Sequence, residues 1–154
     1  MKWSGTNILA AVISVGFLFA FVTALVKSGG ATTGTGSKML LNEVKTVDAA
    51  LAQAKSEGKS VMIDFNASWC GPCKRMQREA FTNEGVAELL KDTLFVSIDV
   101  DHPGENRKFI SDYQFSGLPT AVFVDADGKE IGRTVGYGGV ASFKSEIRRI
   151  LAPH

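Results

Sequence analysis

The sequence predicts an α/β domain with a mixed central sheet and helices on both faces, preceded by one N-terminal transmembrane helix. Three observations lead there. Short apolar, β-rich runs alternate with helical stretches along most of the chain, the pattern of a layered α/β domain. Two of the later runs flank a Gly-containing connection and so form a hairpin. Ile8 to Val26, ILAAVISVGFLFAFVTALV, carries no charge over nineteen residues; as a helix it rises about 28 Å, close to the thickness of a bilayer's hydrocarbon core.

At 154 residues, the length fits one ordinary domain plus an appendage. The apolar run is longer than the roughly 7 to 15 residues of a signal peptide, and Lys27-Ser28-Gly29-Gly30 makes a poor cleavage site. Residues 1–27 are therefore expected to be a retained signal anchor, the alternative being a cleaved signal peptide that leaves a soluble periplasmic protein. Lys2 and the amino terminus face only Lys27, so charge bias gives a slight lean to an inside N-terminus. Residues 28–37, SGGATTGTGS, have almost nothing to bury and read as a flexible linker, spanning about 16 to 19 Å. The domain proper is expected over residues 38–154. The net charge of +1, with cations and acids interspersed, argues against a nucleic-acid partner.

Within the domain, Thr46 caps an alanine-rich helix that runs to about Lys55. Ser60 to Asn66 is a short apolar run with Asp64 embedded in it, which reads as a central strand covered on both faces. A helix starting near Gly71 continues to Phe81, and Thr82-Asn83-Glu84 caps another over residues 85–91. Leu94 to Val100 is a second strand, closed by Asp101-His102-Pro103-Gly104, and Glu105 to Tyr113 a further helix. Thr120 to Val124 and Glu130 to Val135 form the hairpin around Asp125-Ala126-Asp127-Gly128-Lys129. Ala141 to Leu151 closes the chain as an amphipathic helix with Phe143, Ile147, Ile150 and Leu151 inward. The crossover helix between the first two strands implies parallel pairing and the hairpin adds an antiparallel pair, which makes the sheet mixed.

Both cysteines of the chain lie in Trp69-Cys70-Gly71-Pro72-Cys73-Lys74, at the expected strand-to-helix junction. Their i, i+3 spacing puts the two sulfurs on one face of the helix's first turn, within reach of a local disulfide. The helix dipole and free N–H groups favour a thiolate at the entrance, so Cys70 is the more nucleophilic thiol and Cys73 the resolving one. Pro72 fixes φ where its missing N–H costs nothing and stiffens Gly71-Pro72. A zinc site would need His102 and His154 as its other ligands, and a structural disulfide is the other alternative to redox chemistry.

Two further positions stay open on spacing alone. Asp64, six residues before Cys70, either points inward, with a raised pKa suited to accepting a proton from Cys73, or sits solvated at a strand end. Pro119 in Gly117-Leu118-Pro119-Thr120 is either a cis proline beside the dithiol, leaving the Leu118 backbone free to pair with an extended peptide, or an ordinary trans proline opening a strand.

Val61-Met62-Ile63-Asp64-Phe65, Trp69-Cys70-Gly71-Pro72-Cys73-Lys74 and Gly117-Leu118-Pro119-Thr120, in that order, resemble the thioredoxin superfamily over about residues 38–151. Lys45-Thr46-Val47-Asp48 and Ala80-Phe81-Thr82-Asn83-Glu84-Gly85-Val86 are similar, more loosely, to the periplasmic thioredoxin-like domain of DsbD-type disulfide reductases. The resemblance implies a Cys70–Cys73 redox-active disulfide, Asp64 as buried acid/base and Pro119 as the cis proline, with Trp69, Gly71, Pro72 and Leu118 lining the substrate site. It calls for no cofactor and no metal. Asn66 stands where thioredoxin usually has a tryptophan, and Ser97 where it has a lysine near the buried carboxylate.

These readings converge on a membrane-tethered thiol-disulfide oxidoreductase in the periplasm, held at the bacterial inner membrane by residues 8–26 and working as a reductase. Its expected partners are disulfide-containing protein substrates, with apocytochromes among the candidates, and a membrane electron donor of the DsbD type. An oxidase or isomerase on the same fold is the enzymatic alternative. A non-catalytic peptide-binding module with Phe115, Leu118 and Tyr137 as its rim is the other.

Overall fold

A computed structural model describes residues 38–152. The expected transmembrane helix, the anchor and linker segments 1–27 and 28–37, and His154 lie outside the described residues. Among the described residues no helix is long and apolar enough to cross a membrane.

The chain enters through a two-residue strand, β1 (Asn42–Glu43), which the sequence pattern does not reveal. Helix α1 (Val47–Glu57) follows, with Thr46 Oγ1 accepting the Ala49 N–H at its start and Gly58, at φ +66°, ending it in the left-handed conformation glycine adopts freely. Strand β2 (Ser60–Asn66) leads into α2 (Gly71–Glu79), then α3 (Glu84–Leu89), capped by Asn83 Oδ1. Strand β3 (Thr93–Asp99) is followed by a 3₁₀ turn over Gly104–Asn106 and α4 (Arg107–Asp112). The hairpin strands are β4 (Thr120–Val124) and β5 (Glu130–Val135), and α5 (Val140–Ile150) closes the fold.

The sheet order is β1-β3-β2-β4-β5, with β1, β3 and β2 parallel and β4 and β5 antiparallel to their neighbours. β2 is thus central and covered on both faces, as its apolar run requires. On one face Val61, Ile63 and Phe65 pack with Val96, Ile98 and Val122 beneath α1 and Phe109 of α4. On the other, Met62, Phe95, Ala121 and Phe123 pack with Met76, Phe81, Phe143 and Ile147 beneath α2 and α5. Side chains alternate along a strand, so Asp64 and Asn66 share the second face with Met62. One buried strand therefore carries a hydrophobic layer on one side and, on the other, a carboxylate and an amide close to the start of α2.

Candidate active site: a dithiol above a buried carboxylate

Cys70 and Cys73 are joined in a disulfide, with S–S 1.98 Å and Cα atoms 5.3 Å apart. Cys70 is the N-cap of α2, and its Sγ accepts the Cys73 backbone N–H at 3.2 Å. That bond is the local form of the helix-start stabilisation expected from the sequence: an unpaired amide of the first turn points at the entrance sulfur. Pro72 lies in the same turn, and Gly71 and Pro72 are both exposed. Both cysteines are buried, Cys70 at 4% and Cys73 at 1% exposure.

The sulfurs form a small apolar cluster with Ala67, against which Val100 and Leu118 pack. Leu118 precedes Pro119, and the Leu118–Pro119 peptide bond is cis. The Pro119 carbonyl accepts the Gly136 N–H at 2.8 Å, and Thr120 Oγ1 donates to the Gly117 carbonyl at 2.7 Å. The segment that borders the dithiol is thereby fastened to the end of β5. Trp69 is 68% exposed, and its indole N–H donates to Asp101 Oδ2 at 2.7 Å. Asp101 is in turn fixed by its own N–H to Asp99 Oδ1 at 2.9 Å. An exposed aromatic ring held by a hydrogen bond is a contact surface with little rotamer freedom left to lose.

Asp64 points inward and is 2% exposed, so the strand-end alternative does not describe it. Burial pushes its carboxyl up to about 7, and a hydrogen bond from Asn66 works in the opposite direction. Asn66 Nδ2 lies 2.9 Å from Asp64 Oδ2 and 2.8 Å from Ser97 Oγ, while Asp64 Oδ1 is buried with no hydrogen-bond partner. Ser97 and Ala121 are the register partners of Asp64 on its two sides. The two positions that depart from the thioredoxin pattern, 66 and 97, thus meet at the carboxylate.

His102, 84% exposed, stands 3.8 Å from Asp99 Oδ2. Phe115 is half-buried, its ring stacked on Phe65 at 4.7 Å against the core beneath α1. Tyr137 packs edge-on to Phe143, with the Arg75 guanidinium 5.1 Å above its ring. The Tyr137 hydroxyl is buried without a hydrogen-bond partner; burial first, and Glu79 second, raise its pKa to about 12. Sequence reasoning missed Asp101 as the anchor of Trp69 and Asn66 as a partner of Asp64. The Asn66 signal was present, since residues i and i+2 of a strand share a face. The Asp101 link needed the β2–β3 register, in which Asn66 stands opposite Asp99.

A Cys-x-x-Cys pair at a helix start, a buried carboxyl of raised pKa and a cis Leu118–Pro119 bond whose Leu118 packs against the sulfurs define a thiol-disulfide oxidoreductase of thioredoxin-like fold. Residues 47–150 match the family described as thioredoxin-like domain, and the chain belongs to that family. The thiol:disulfide interchange protein DsbD of Pseudoalteromonas atlantica is 36% identical over 104 residues, 66% of this chain and 18% of that protein. Its namesake in Ralstonia nicotianae is 34% identical over 113 residues, 72% of this chain and 19% of that protein. The chain therefore spans less than a fifth of the length of these relatives. Among solved structures, a thioredoxin from Thermus thermophilus superposes with a TM-score of 0.64 at 30% identity, covering 74% of this chain and 89% of that one. A structure titled DsbH oxidoreductase, 23% identical, has the same fold with a TM-score of 0.66 over 87% of this chain and 99% of its own.

Proposed function

We propose that this chain is a membrane-tethered disulfide reductase of the bacterial periplasm, with residues 1–27 as a signal anchor, 28–37 as a linker and 38–154 as the working domain. The observation that carries this reading is the Cys70–Cys73 disulfide at the start of α2, on a thioredoxin-like scaffold with a buried carboxyl on the same sheet face. In the reduced protein, the Cys70 thiolate attacks a substrate disulfide; one substrate sulfur leaves as a thiolate and a mixed disulfide forms. Asp64 accepts the proton of Cys73, whose thiolate attacks Cys70 Sγ and expels the second substrate sulfur. The substrate gains two electrons and the chain ends as its own disulfide. Trp69, Gly71, Pro72, Leu118 and Pro119 border the substrate, with the Leu118 backbone pairing with an extended peptide.

The oxidised chain is returned to the dithiol by a membrane electron donor of the DsbD type, because the periplasm has no bulk thiol buffer. The similarity to two DsbD proteins supports such a place in thiol exchange. The substrates are disulfide-containing exported proteins, including apocytochromes before haem attachment. Exposed Lys74 and Arg75 beside the dithiol favour an oxidase or isomerase instead, since cations that stabilise a thiolate raise the potential.

The reduction potential of the full chain, equilibrated against dithiothreitol and glutathione buffers, separates the two readings. A value near the roughly −270 mV of reducing thioredoxins is expected, and one near the roughly −120 mV of the strongest dithiol oxidants would overturn the reductase assignment. Roles within the pair are tested by substitution. Cys70→Ser abolishes turnover, whereas Cys73→Ser accumulates mixed disulfides that non-reducing electrophoresis resolves; failure to trap any such species removes the assignment of attacker and resolver.

A further inference from the structure

A carboxylate buried in a sheet needs donors or a cation to hold its charge, and Asp64 has one donor. Its Oδ2 accepts from Asn66 Nδ2 at 2.9 Å, and its Oδ1 has no partner. The groups facing it are few. β3 presents Ser97 in register beside it and half-exposed Asp99 two pairs further on; β4 presents Ala121, and Thr134 of β5 lies in register beyond that. The Thr134 hydroxyl is itself buried and unpaired. From the helices that cover this face, α2 buries Cys73 and Met76, and α5 buries Phe143 and Ile147; the charged side chains of α2, Lys74, Arg75, Arg78 and Glu79, are exposed. Burial is the main cause of its raised pKa, and the Asn66 hydrogen bond opposes it.

The orientation of Asn66 is fixed by its surroundings. Nδ2 lies 3.3 Å from the Asp64 backbone carbonyl, which can only accept, and 2.8 Å from Ser97 Oγ. The N–H₂ end of the amide, rather than its carbonyl end, therefore faces the carboxyl. Asn66 is 7% exposed, so the amide is held among protein groups.

We propose that Asn66, anchored on Ser97 Oγ, is the positioning residue that sets the protonation equilibrium of Asp64, with Ser97 standing where thioredoxin usually has a lysine. A neutral amide fixed by its other hydrogen bonds stabilises the carboxylate without introducing a second buried charge, whose desolvation would itself be costly. Ser97 acts one step behind: it holds the amide in line, and it lies at a cleft of about 380 Å³ at the β3 edge, bordered by Lys45, Asp99, His102 and Glu105. The kinetic consequence rests on the reading of Asp64 as the proton acceptor of Cys73; the titration itself does not.

The test uses Asn66→Leu, which keeps the volume and removes the donor, in the full chain. Asp64 is titrated by infrared spectroscopy through the carbonyl band of its protonated form, identified by the loss of that band in Asp64→Asn. Loss of one hydrogen bond to a buried charge is expected to move the midpoint up by about one pH unit. If the variant does not fold, Ser97→Ala, which frees the amide and deletes only a hydroxyl, is expected to move the midpoint in the same direction by less. A midpoint that stays in place in the folded variant overturns the proposal. Decay of a preformed Cys70 mixed disulfide is measured in parallel. With the midpoint one pH unit higher, resolution at pH 7 slows about fivefold and recovers at pH 9. A displaced titration with an unchanged decay rate sustains the role of Asn66 and refutes that of Asp64 as the base.

Discussion

Asp64 is costly to bury, and that cost has a sign that can be checked. Its folded pKa, about 7, lies above the ordinary carboxyl value of 3.8. Between those two values the folded state holds more protons than the unfolded chain, so stability falls as pH rises from about 4 to about 7. The penalty is absent below that window and complete above it, reaching roughly 4 kcal/mol. Asp64→Asn should therefore raise Tm by several degrees at pH 8 and leave it nearly unchanged at pH 4, as calorimetry at the two pH values will show. The same variant should slow resolution of mixed disulfides at neutral pH and flatten the limb of the pH-rate profile near 7. A destabilising carboxyl whose removal stabilises the fold and slows the chemistry is one retained for its proton. From the sequence, Asp64 could be recognised as a charge within an apolar run, and Cys70 and Cys73 by their spacing. The direction of the Asp64 side chain could not, because both strand-end and interior positions fit the same run.

At the scale of elements, the helix and strand boundaries follow local chemistry closely where a cap or a period is present. Thr46, Asn83 and Cys70 each sit at the N-cap their side chains suit. β1 escaped notice because Asn42 and Glu43 are exposed and too few to show a period of two. The stretch expected as one helix from Glu105 begins instead as a 3₁₀ turn, since Gly104 at φ +54° and Pro103 break the approach to it. Contacts between distant elements were beyond reach of pattern. Gly132 of β5 is the clearest case: a Cβ there would meet Ile150 Cγ1 at 2.8 Å and Cγ2 at 2.9 Å. α5 thus lies against the sheet at a distance only glycine permits. Gly132→Ala is expected to cost about 1 to 3 kcal/mol by forcing α5 outward, visible as a lower urea midpoint with unchanged slope. Ile150→Ala in the same background should recover part of the loss, because it removes the colliding atoms.

For the molecule as a whole, the mixed sheet and two-sided helix cover were legible from the order of elements, because a crossover helix forces parallel strands and a short connection forces antiparallel ones. The order of strands across the sheet has no such local signature. It depends on β4 pairing with β2 across more than fifty residues, a choice that follows from the burial of both faces of β2 rather than from any nearby signal. Placement of the domain outside the cytoplasm is tested directly: protease added to intact spheroplasts should remove it, and protection until lysis would reverse the orientation.

The bond from the Cys73 N–H to Cys70 Sγ has a consequence for the energetics of cycling. In the disulfide the amide meets a neutral sulfur, and a thiolate formed at Cys70 on reduction would meet the same donor with its charge. The donor that the charged form requires is already in position in the uncharged one, held by the first turn of α2 between two buried cysteines. Reorganisation of the surroundings, which in water means turning solvent dipoles toward each new charge, would then be largely replaced by a backbone donor fixed in the first turn. The helix start is then more than a mount for the sulfurs. It is expected to keep the oxidised and reduced forms close in shape, so that partners on either side of the electron transfer meet nearly the same surface.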